Sequence, residues 1–209
     1  MEQDSYRGIA DFYDWLFEST NRGLSLAGIR MCRPPKGARV LDVCCGTGSQ
    51  LSLYQRYQCR LSGLDASPAM LAIARRRLGA AAQLNLGDAT RMPYADRRFD
   101  LVSCKLALHE MPPGMRAAVL GETKRVLKSD GRILLIDFRP GPYQPLKGWI
   151  SRAVSFVAEF AAGGEHFKNQ RQFLAAGGLP ALAQQQDLRI EKQHVMAGGT
   201  FAVLCLVRA

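Results

Sequence analysis

Short apolar runs alternate with segments of helical spacing across the middle of the chain. The apolar runs have the length of strands and occupy residues 38–44, 59–66, 81–89, 99–108 and 131–138. The spacing between them predicts helices over residues 49–57, 68–78 and 113–127, and the Lys-Ser-Asp-Gly after the last one is typical of a helix end. Because strands joined by helices pair in parallel, the pattern predicts a parallel sheet with helices on both faces.

The C-terminal part breaks this alternation. Residues 188–196 and 200–209 are strand-like runs separated only by Ala-Gly-Gly, which predicts a hairpin. The second run contains Phe-Ala-Val-Leu-Cys-Leu-Val and is apolar on both faces. We therefore expect one antiparallel strand inside the sheet rather than at its edge.

Two further segments are helical in pattern. Residues 6–31 predict a helix within an N-terminal cap of residues 1–34, and residues 145–186 predict two or three helices that form a lid near the carboxyl end of the sheet. One stripe of the lid is apolar and consists of Trp149, Ala153, Val154, Phe156, Val157 and Phe160. Three interpretations stay open: core packing, a pocket for an apolar or amphiphilic acceptor, or contact with an anionic membrane.

The composition predicts a single domain over residues 1–209. With 47% apolar and 22% charged residues, a chain of 209 residues can bury one large core. No uncharged apolar run reaches the roughly 18 residues that span a bilayer. The first residues lack the pattern of a signal peptide and the six cysteines are scattered, which favours a cytoplasmic location.

The net charge of +10 favours encounters with nucleic acid, anionic lipid or acidic metabolites. The basic residues are dispersed, and their densest cluster is Arg75, Arg76 and Arg77. No basic stripe is interleaved with aromatic residues, so we expect no nucleic-acid partner. Peripheral contact with a membrane stays open.

The loop after the first predicted strand is the expected place for chemistry, because ligands of such sheets bind beyond the carboxyl ends of the strands. Residues 40–51 read VLDVCCGTGSQL. Gly46 and Gly48 suit a backbone that turns sharply beside a ligand, although a plain strand-to-helix turn would show the same pattern. Cys44 and Cys45 are interpreted as small side chains that fit the loop, and we expect no positive φ at Cys44.

Three carboxylates stand at the ends of successive predicted strands. Asp42 lies inside the first strand, where a carboxylate is costly unless hydrogen bonds orient it. Asp65 ends the second strand, where it can accept both hydroxyls of a ribose, and Asp88 follows the third, where it can accept an adenine amine. This arrangement favours a nucleoside-containing ligand over three solvated charges.

These motifs resemble those of the class I S-adenosylmethionine-dependent methyltransferases. Residues 40–51 are similar to the family's first motif, LSGLDASPAMLAIA to its second, residues 86–111 to its adenine-binding and fourth-strand motifs, and LKSDGRILLIDF to its fifth-strand motif. IADFYDWLF is similar to the opening of the ubiquinone and menaquinone C-methyltransferase group, whose members also carry CCGTG. The resemblance implies a three-layer Rossmann-like α/β sandwich whose sheet has the order 3-2-1-4-5-7-6 with strand 7 antiparallel.

The resemblance also implies that S-adenosyl-L-methionine is the cofactor and S-adenosyl-L-homocysteine the product. The residues expected at the methionine end are Cys44, Cys45, Gly46, Gly48, Lys105 and Leu106, of which the last two also border the entrance for the acceptor. Asp42 is expected either to orient the loop or to reach the cofactor's amino group through water. The residues expected at the nucleoside are Asp65 on the ribose and Ala66, Met70, Asp88 and Ala89 at the adenine. Tyr13 is expected to close over the cofactor carboxylate, or else to be a buried aromatic of its helix.

The expected reaction is methyl transfer to a small-molecule acceptor, quinone-like or lipid-like. His109 is the candidate general base, with a loop-structuring role as the alternative. The three histidines are far apart and no Cys-x-x-Cys pair occurs, so we expect no metal. Leu51 occupies the third glycine position of a dinucleotide fingerprint, which disfavours a dehydrogenase. A non-catalytic S-adenosylmethionine-binding regulator of another enzyme is the remaining alternative.

Overall fold

The computed structural model describes residues 10–144 and 164–209, with side chains from residue 21 onward. Its helices are α1 (Ala10–Met31), α2 (Ser49–Tyr54), α3 (Pro68–Leu78), α4 (Pro113–Val126), α5 (Gly164–Ala175) and α6 (Gly178–Gln185). The apolar stripe predicted between Trp149 and Phe160 lies outside the described residues. Within the segment predicted as a lid, the described residues form α5 and α6.

One seven-stranded sheet organises the fold. Its strands are β1 (Arg39–Val43), β2 (Arg60–Asp65), β3 (Ala82–Leu86), β4 (Phe99–Lys105), β5 (Leu127–Phe138), β6 (Leu188–Met196) and β7 (Phe201–Arg208). They lie in the order 3-2-1-4-5-7-6, with β1 to β5 parallel and β7 antiparallel to both of its neighbours. The structure confirms the predicted fold class and the insertion of β7 inside the sheet.

The sequence signals for α3 act as expected. Ser67 caps the helix by accepting a hydrogen bond from the backbone N–H of Met70 at 3.1 Å, and Pro68 occupies its first turn, where no N–H partner is needed. The helix ends at Leu78 before Gly79, which has a φ of 52°. Its observed bounds match the predicted residues 68–78.

The end of α4 differs from the prediction. The helix stops at Val126 and β5 begins at Leu127, so Lys-Ser-Asp-Gly lies within the strand rather than closing the helix. Leu127 is fully buried and pairs with Phe99, and the next pair is Leu101 with Arg132. Residues 128–131 therefore form a bulge in the ladder. The strand begins directly after the helix because Leu127 is buried and pairs with β4.

The sheet is buried on both faces around its central strands. In β7 the residues from Ala202 to Leu206 have no exposed surface, and α1 packs close to β5 at Gly28. A Cβ at Gly28 would lie 2.9 Å from Ile136 Cδ1 and 3.0 Å from Leu134 Cδ1, so this glycine sets the distance between helix and strand. α1 is thereby held across the sheet, with Asn21 reaching the cleft beyond its carboxyl edge.

Candidate active site

A cleft of about 240 Å³ opens at the carboxyl ends of β1, β2 and β4. Eight residues expected at the cofactor line it: Cys44, Cys45, Gly46, Asp65, Ala66, Met70, Lys105 and Leu106. Six residues that the sequence did not single out complete the lining: Asn21, Thr47, Ser49, Ala107, Glu110 and Met111. The expected edge of the sheet thus carries a cleft built mainly from the loops after these three strands.

The loop after β1 turns through three left-handed residues. Cys44, Gly46 and Gly48 have φ values of 54°, 52° and 72°. The expectation that Cys44 avoids positive φ is therefore wrong. Hydrogen bonds hold the turn: the backbone N–H of Cys45 donates to Leu64 O at 3.1 Å and that of Gly48 to Cys45 O at 3.0 Å. These bonds offset the roughly 1–2 kcal/mol that a left-handed non-glycine residue costs.

The two glycines of this loop differ in their surroundings. A Cβ at Gly46 would meet nothing within 4 Å, whereas one at Gly48 would lie 2.7 Å from Leu78 Cδ1 and 3.2 Å from Ala74 Cβ. Gly48 also does not line the cleft. Gly46 therefore provides open backbone at the cleft, and Gly48 allows the loop to pack against α3.

Asp65 joins the end of β2 to this loop. One carboxylate oxygen accepts the backbone N–H of Gly46 at 2.7 Å, and the other accepts that of Ser67 at 2.9 Å. Each carboxylate oxygen has a second lone pair, so Asp65 can accept further hydrogen bonds from hydroxyls in the cleft. The side chain both shapes the loop and faces the place where a ribose is expected.

Asp42 lies beneath the cleft rather than in its lining. It is 3% exposed and accepts hydrogen bonds from Ser103 Oγ at 2.6 Å and Gln50 Nε2 at 2.9 Å. Burial raises its pKa to about 6, against the lowering effect of Ser103, Lys105 and Gln50. Asp42 therefore ties β1 to α2 and to β4 under the loop.

Asp88 and Ala89 are not among the lining residues. The carboxylate of Asp88 accepts hydrogen bonds from the backbone N–H and the hydroxyl of Thr90, both at 2.7 Å. Tyr13 lies in α1, and its side chain is outside the described part of the chain. The structure thus gathers eight of the thirteen expected residues in the cleft lining and leaves Asp42, Gly48, Asp88 and Ala89 outside it.

His109 is buried behind the cleft. Its side chain is 2% exposed, its Nδ1 lies 2.8 Å from Asp137 Oδ1, and its ring meets that of Phe138 edge to face. Asp137 also accepts the backbone N–H groups of Leu108, His109 and Phe138. The neighbouring Glu110 lines the cleft, with Oε1 at 3.9 Å from His109 Nε2.

Arg77 supports the loop after β1, which comprises residues 44–48 and is named the glycine loop. In the sequence, Arg77 belongs to the densest cluster of basic residues. Its guanidinium donates to the backbone oxygen of Thr47 at 2.9 Å and to the Thr47 hydroxyl at 2.7 Å. Arg77 is 30 residues away from Thr47 along the chain. No local sequence signal marks such a contact, which only the packing of α3 against the loop creates.

Metal sites and membrane-spanning helices are two further features to consider in the described residues. Within residues 10–144 and 164–209, no group of three or more His, Cys, Asp or Glu side chains is arranged to hold a metal ion. Among the helices that the structure describes, none has the length and hydropathy to traverse a bilayer.

Known proteins resemble the chain in sequence and in fold. A family described as a methyltransferase domain matches residues 40–131. An uncharacterized methyltransferase of Synechocystis is 31% identical over 170 residues, which cover 80% of this chain and 74% of that protein. A demethylmenaquinone methyltransferase of Thermotoga maritima is 30% identical over 163 residues, covering 75% and 69%.

A solved structure shares the fold at lower sequence identity. The TehB-like SAM-dependent methyltransferase of Corynebacterium glutamicum superposes with a TM-score of 0.61 and 17% identity, covering 96% of this chain and 98% of that one. With the strand order, the cleft beyond β1, β2 and β4 and the sequence relatives taken together, the chain belongs to the class I S-adenosylmethionine-dependent methyltransferases.

Proposed function

We propose that this methyltransferase acts on a small-molecule acceptor that is quinone-like or lipid-like. The observation that carries the proposal is the apolar surface that Leu106, Ala107 and Met111 add to the cleft wall after β4, beside Lys105 and Glu110. An apolar wall suits an acceptor with a hydrophobic ring or tail. The name of the Thermotoga maritima relative, a demethylmenaquinone methyltransferase, supports a quinone in particular.

Other residues that line the cleft fit S-adenosylmethionine. Asp65 offers carboxylate oxygens to the ribose hydroxyls, and Ala66 and Met70 offer apolar surface to the adenine. Gly46 exposes backbone with open space at its Cβ position, which suits the methionine part. Lys105 and Leu106, from the end of β4 and the residue after it, would lie between the cofactor and the acceptor.

The cofactor supplies a methyl group that its sulfonium already activates for in-line displacement. The remaining task of the protein is to align donor and acceptor and to exclude water, which together contribute several kcal/mol. In this proposal the turn at Cys44 to Gly48 and the wall formed by Leu106 and Met111 hold the two reactants on either side of the transferred group.

An acceptor that reacts through carbon or oxygen also loses a proton, for which His109 is the proposed base. With Nδ1 bonded to Asp137, Nε2 is the ring atom that would accept the proton in this proposal. Nε2 faces Glu110, whose side chain lines the cleft. In this proposal Glu110 stands between the cleft and His109 and would relay the proton to Nε2.

A labelling experiment tests the acceptor class. The purified protein is incubated with methyl-labelled S-adenosylmethionine and a reduced 1,4-naphthoquinone that carries a prenyl tail and an unmethylated ring carbon. We expect label in the organic extract and S-adenosylhomocysteine in equal amount. Cofactor binding without transfer to this quinol or to a total lipid extract would reject the acceptor class and favour the regulator alternative.

The predicted lid stripe offers a second test of the acceptor. If Trp149 and Phe156 line the acceptor pocket, replacing both by glutamine raises the KM for the naphthoquinol at least about tenfold, since an apolar contact is worth roughly 1–3 kcal/mol. The affinity for S-adenosylhomocysteine should stay unchanged. Equal loss of both would show that the stripe packs in the core.

A further inference from the structure

A second and larger cleft lies at the opposite edge of the sheet. It has a volume of about 650 Å³ and is bordered by the amino ends of β1, β2, β3 and β4. The five residues of β1 separate it from the glycine loop by roughly 17 Å. The proposed methyl transfer uses none of its lining residues.

Four arginines line this cleft. Arg39 and Arg60 are exposed and are register partners on β1 and β2. Arg97 and Arg98 precede β4, and the guanidinium of Arg98 lies 5.6 Å from the ring centre of Phe99. We name this site, defined by Arg39, Arg60, Arg97 and Arg98, the arginine cleft.

Two carboxylates near the arginine cleft have partners other than its guanidinium groups. Asp96 at its rim pairs with Arg125 at 2.7 Å. Asp100 accepts the backbone N–H of Arg39 at 2.8 Å and pairs with Lys128. Within the described ranges none of the four guanidinium groups forms an ion pair, and the cleft has more arginines than carboxylates in its lining, where Asp96 is the acidic residue.

The backbone of the arginine cleft is also held in place. The N–H groups of Arg97 and Arg98 donate to Arg125 O at 3.0 Å and Val126 O at 2.8 Å, although Arg97 has a φ of 51°. Small residues, from Ala80 to Ala82, leave space beside β2, where the hydroxyl-bearing Ser62 is 6% exposed. The backbone of Arg97 and Arg98 is therefore tied to the end of α4, and the four arginines line a concave surface.

We propose that the arginine cleft binds the phosphate group of an anionic ligand. Guanidinium groups bind phosphate oxygens through two parallel charge-assisted hydrogen bonds, and within the described ranges no ion pair engages the four guanidinium groups here. The volume lies in the range of small-molecule sites. The phosphate can belong to a free metabolite or to a lipid headgroup, and binding is independent of the cofactor cleft.

An NMR titration with inorganic pyrophosphate tests the site in the full chain. The amide signals of Arg60, Arg97 and Arg98 should shift on addition of pyrophosphate, while that of Gly46 should not. The variant R60Q/R97N removes two charges at exposed positions, and asparagine tolerates the left-handed backbone at position 97. We expect about tenfold weaker binding, because charge-assisted hydrogen bonds are lost.

The control variant R75Q/R189Q lowers the net charge by the same amount at exposed positions of α3 and β6. It should bind pyrophosphate as the unmodified protein does, and both variants should keep the affinity for S-adenosylhomocysteine. Sedimentation with phosphatidylglycerol vesicles, compared with phosphatidylcholine vesicles, identifies the source of the phosphate. Binding to vesicles that is sensitive to R60Q/R97N indicates a lipid headgroup, and binding to pyrophosphate alone indicates a free metabolite.

Three outcomes would overturn the proposal. The first is the absence of binding to both pyrophosphate and anionic vesicles. The second is equal weakening by R75Q/R189Q, which would show attraction by net charge only. The third is amide shifts confined to residues outside the arginine cleft.

Discussion

At the scale of single residues, Asp42 shows how burial changes a side chain that the sequence placed correctly. Its position inside β1 indicated a carboxylate that hydrogen bonds must orient, and Ser103 and Gln50 provide those bonds. Residue 50 is eight positions away and residue 103 is 61 positions away. The need for partners was readable from the sequence, but the identity of Ser103 depends on the pairing of β1 with β4.

The raised pKa of Asp42 predicts a pH dependence of stability. A carboxyl with a pKa of about 6 in the folded protein and 3.8 when unfolded stabilises the fold most below pH 4. That contribution is lost as the pH rises through 6, and it amounts to about 3 kcal/mol. In urea unfolding, the free energy of unfolding of the protein minus that of Asp42→Asn should therefore decrease from pH 4 to pH 7. A difference independent of pH would contradict the assignment.

His109 carries the second prediction at this scale. His109→Gln removes the proposed base while leaving a side chain that can still bond to Asp137. We expect turnover of the naphthoquinol to fall about 10²-fold, which is typical for loss of a general base, with unchanged affinity for S-adenosylhomocysteine. His194→Gln, at an exposed position of β6, is the matched control. Unchanged turnover in His109→Gln would remove His109 from the mechanism.

At the scale of elements, the contact between the glycine loop and α3 fixes the shape of the cleft. A Cβ at Gly48 would collide with Leu78 and approach Ala74, and Arg77 of the same helix donates hydrogen bonds to Thr47. The helix was predicted with its correct bounds, because a cap and a proline mark its start. Its contacts with the loop were not predictable, since they depend on the angle at which α3 packs.

Two glycine substitutions test this contact. Gly48→Ala should destabilise the protein by about 2 kcal/mol or more, since a Cβ there meets Leu78 and the φ is 72°. Gly121→Ala should instead stabilise it by up to about 1 kcal/mol, because Gly121 is exposed within α4 and has free space at its Cβ. Thermal unfolding measures both changes. A mild effect of Gly48→Ala would mean that the loop can move away from α3 without cost.

At the scale of the whole molecule, the antiparallel strand β7 completes the core between β5 and β6. Leu204 has no exposed surface, whereas Val195 on the edge strand β6 is 39% exposed. Leu204→Ala should therefore destabilise the protein by about 3 kcal/mol, against less than about 1 kcal/mol for Val195→Ala. Chemical denaturation gives both values. Similar losses in the two variants would contradict the central position of β7.

The sequence by itself determined the strands, α3, the hairpin and the family, because apolar periodicity, caps and the loop motif are local features of the chain. Only the tertiary structure decided that Cys44 adopts a left-handed backbone, that Arg77 supports Thr47, and that His109 lies behind Glu110. It also brought Arg39, Arg60, Arg97 and Arg98 together at one edge. Such features depend on contacts between residues distant along the chain, and these exist only once the strands are paired and the helices packed.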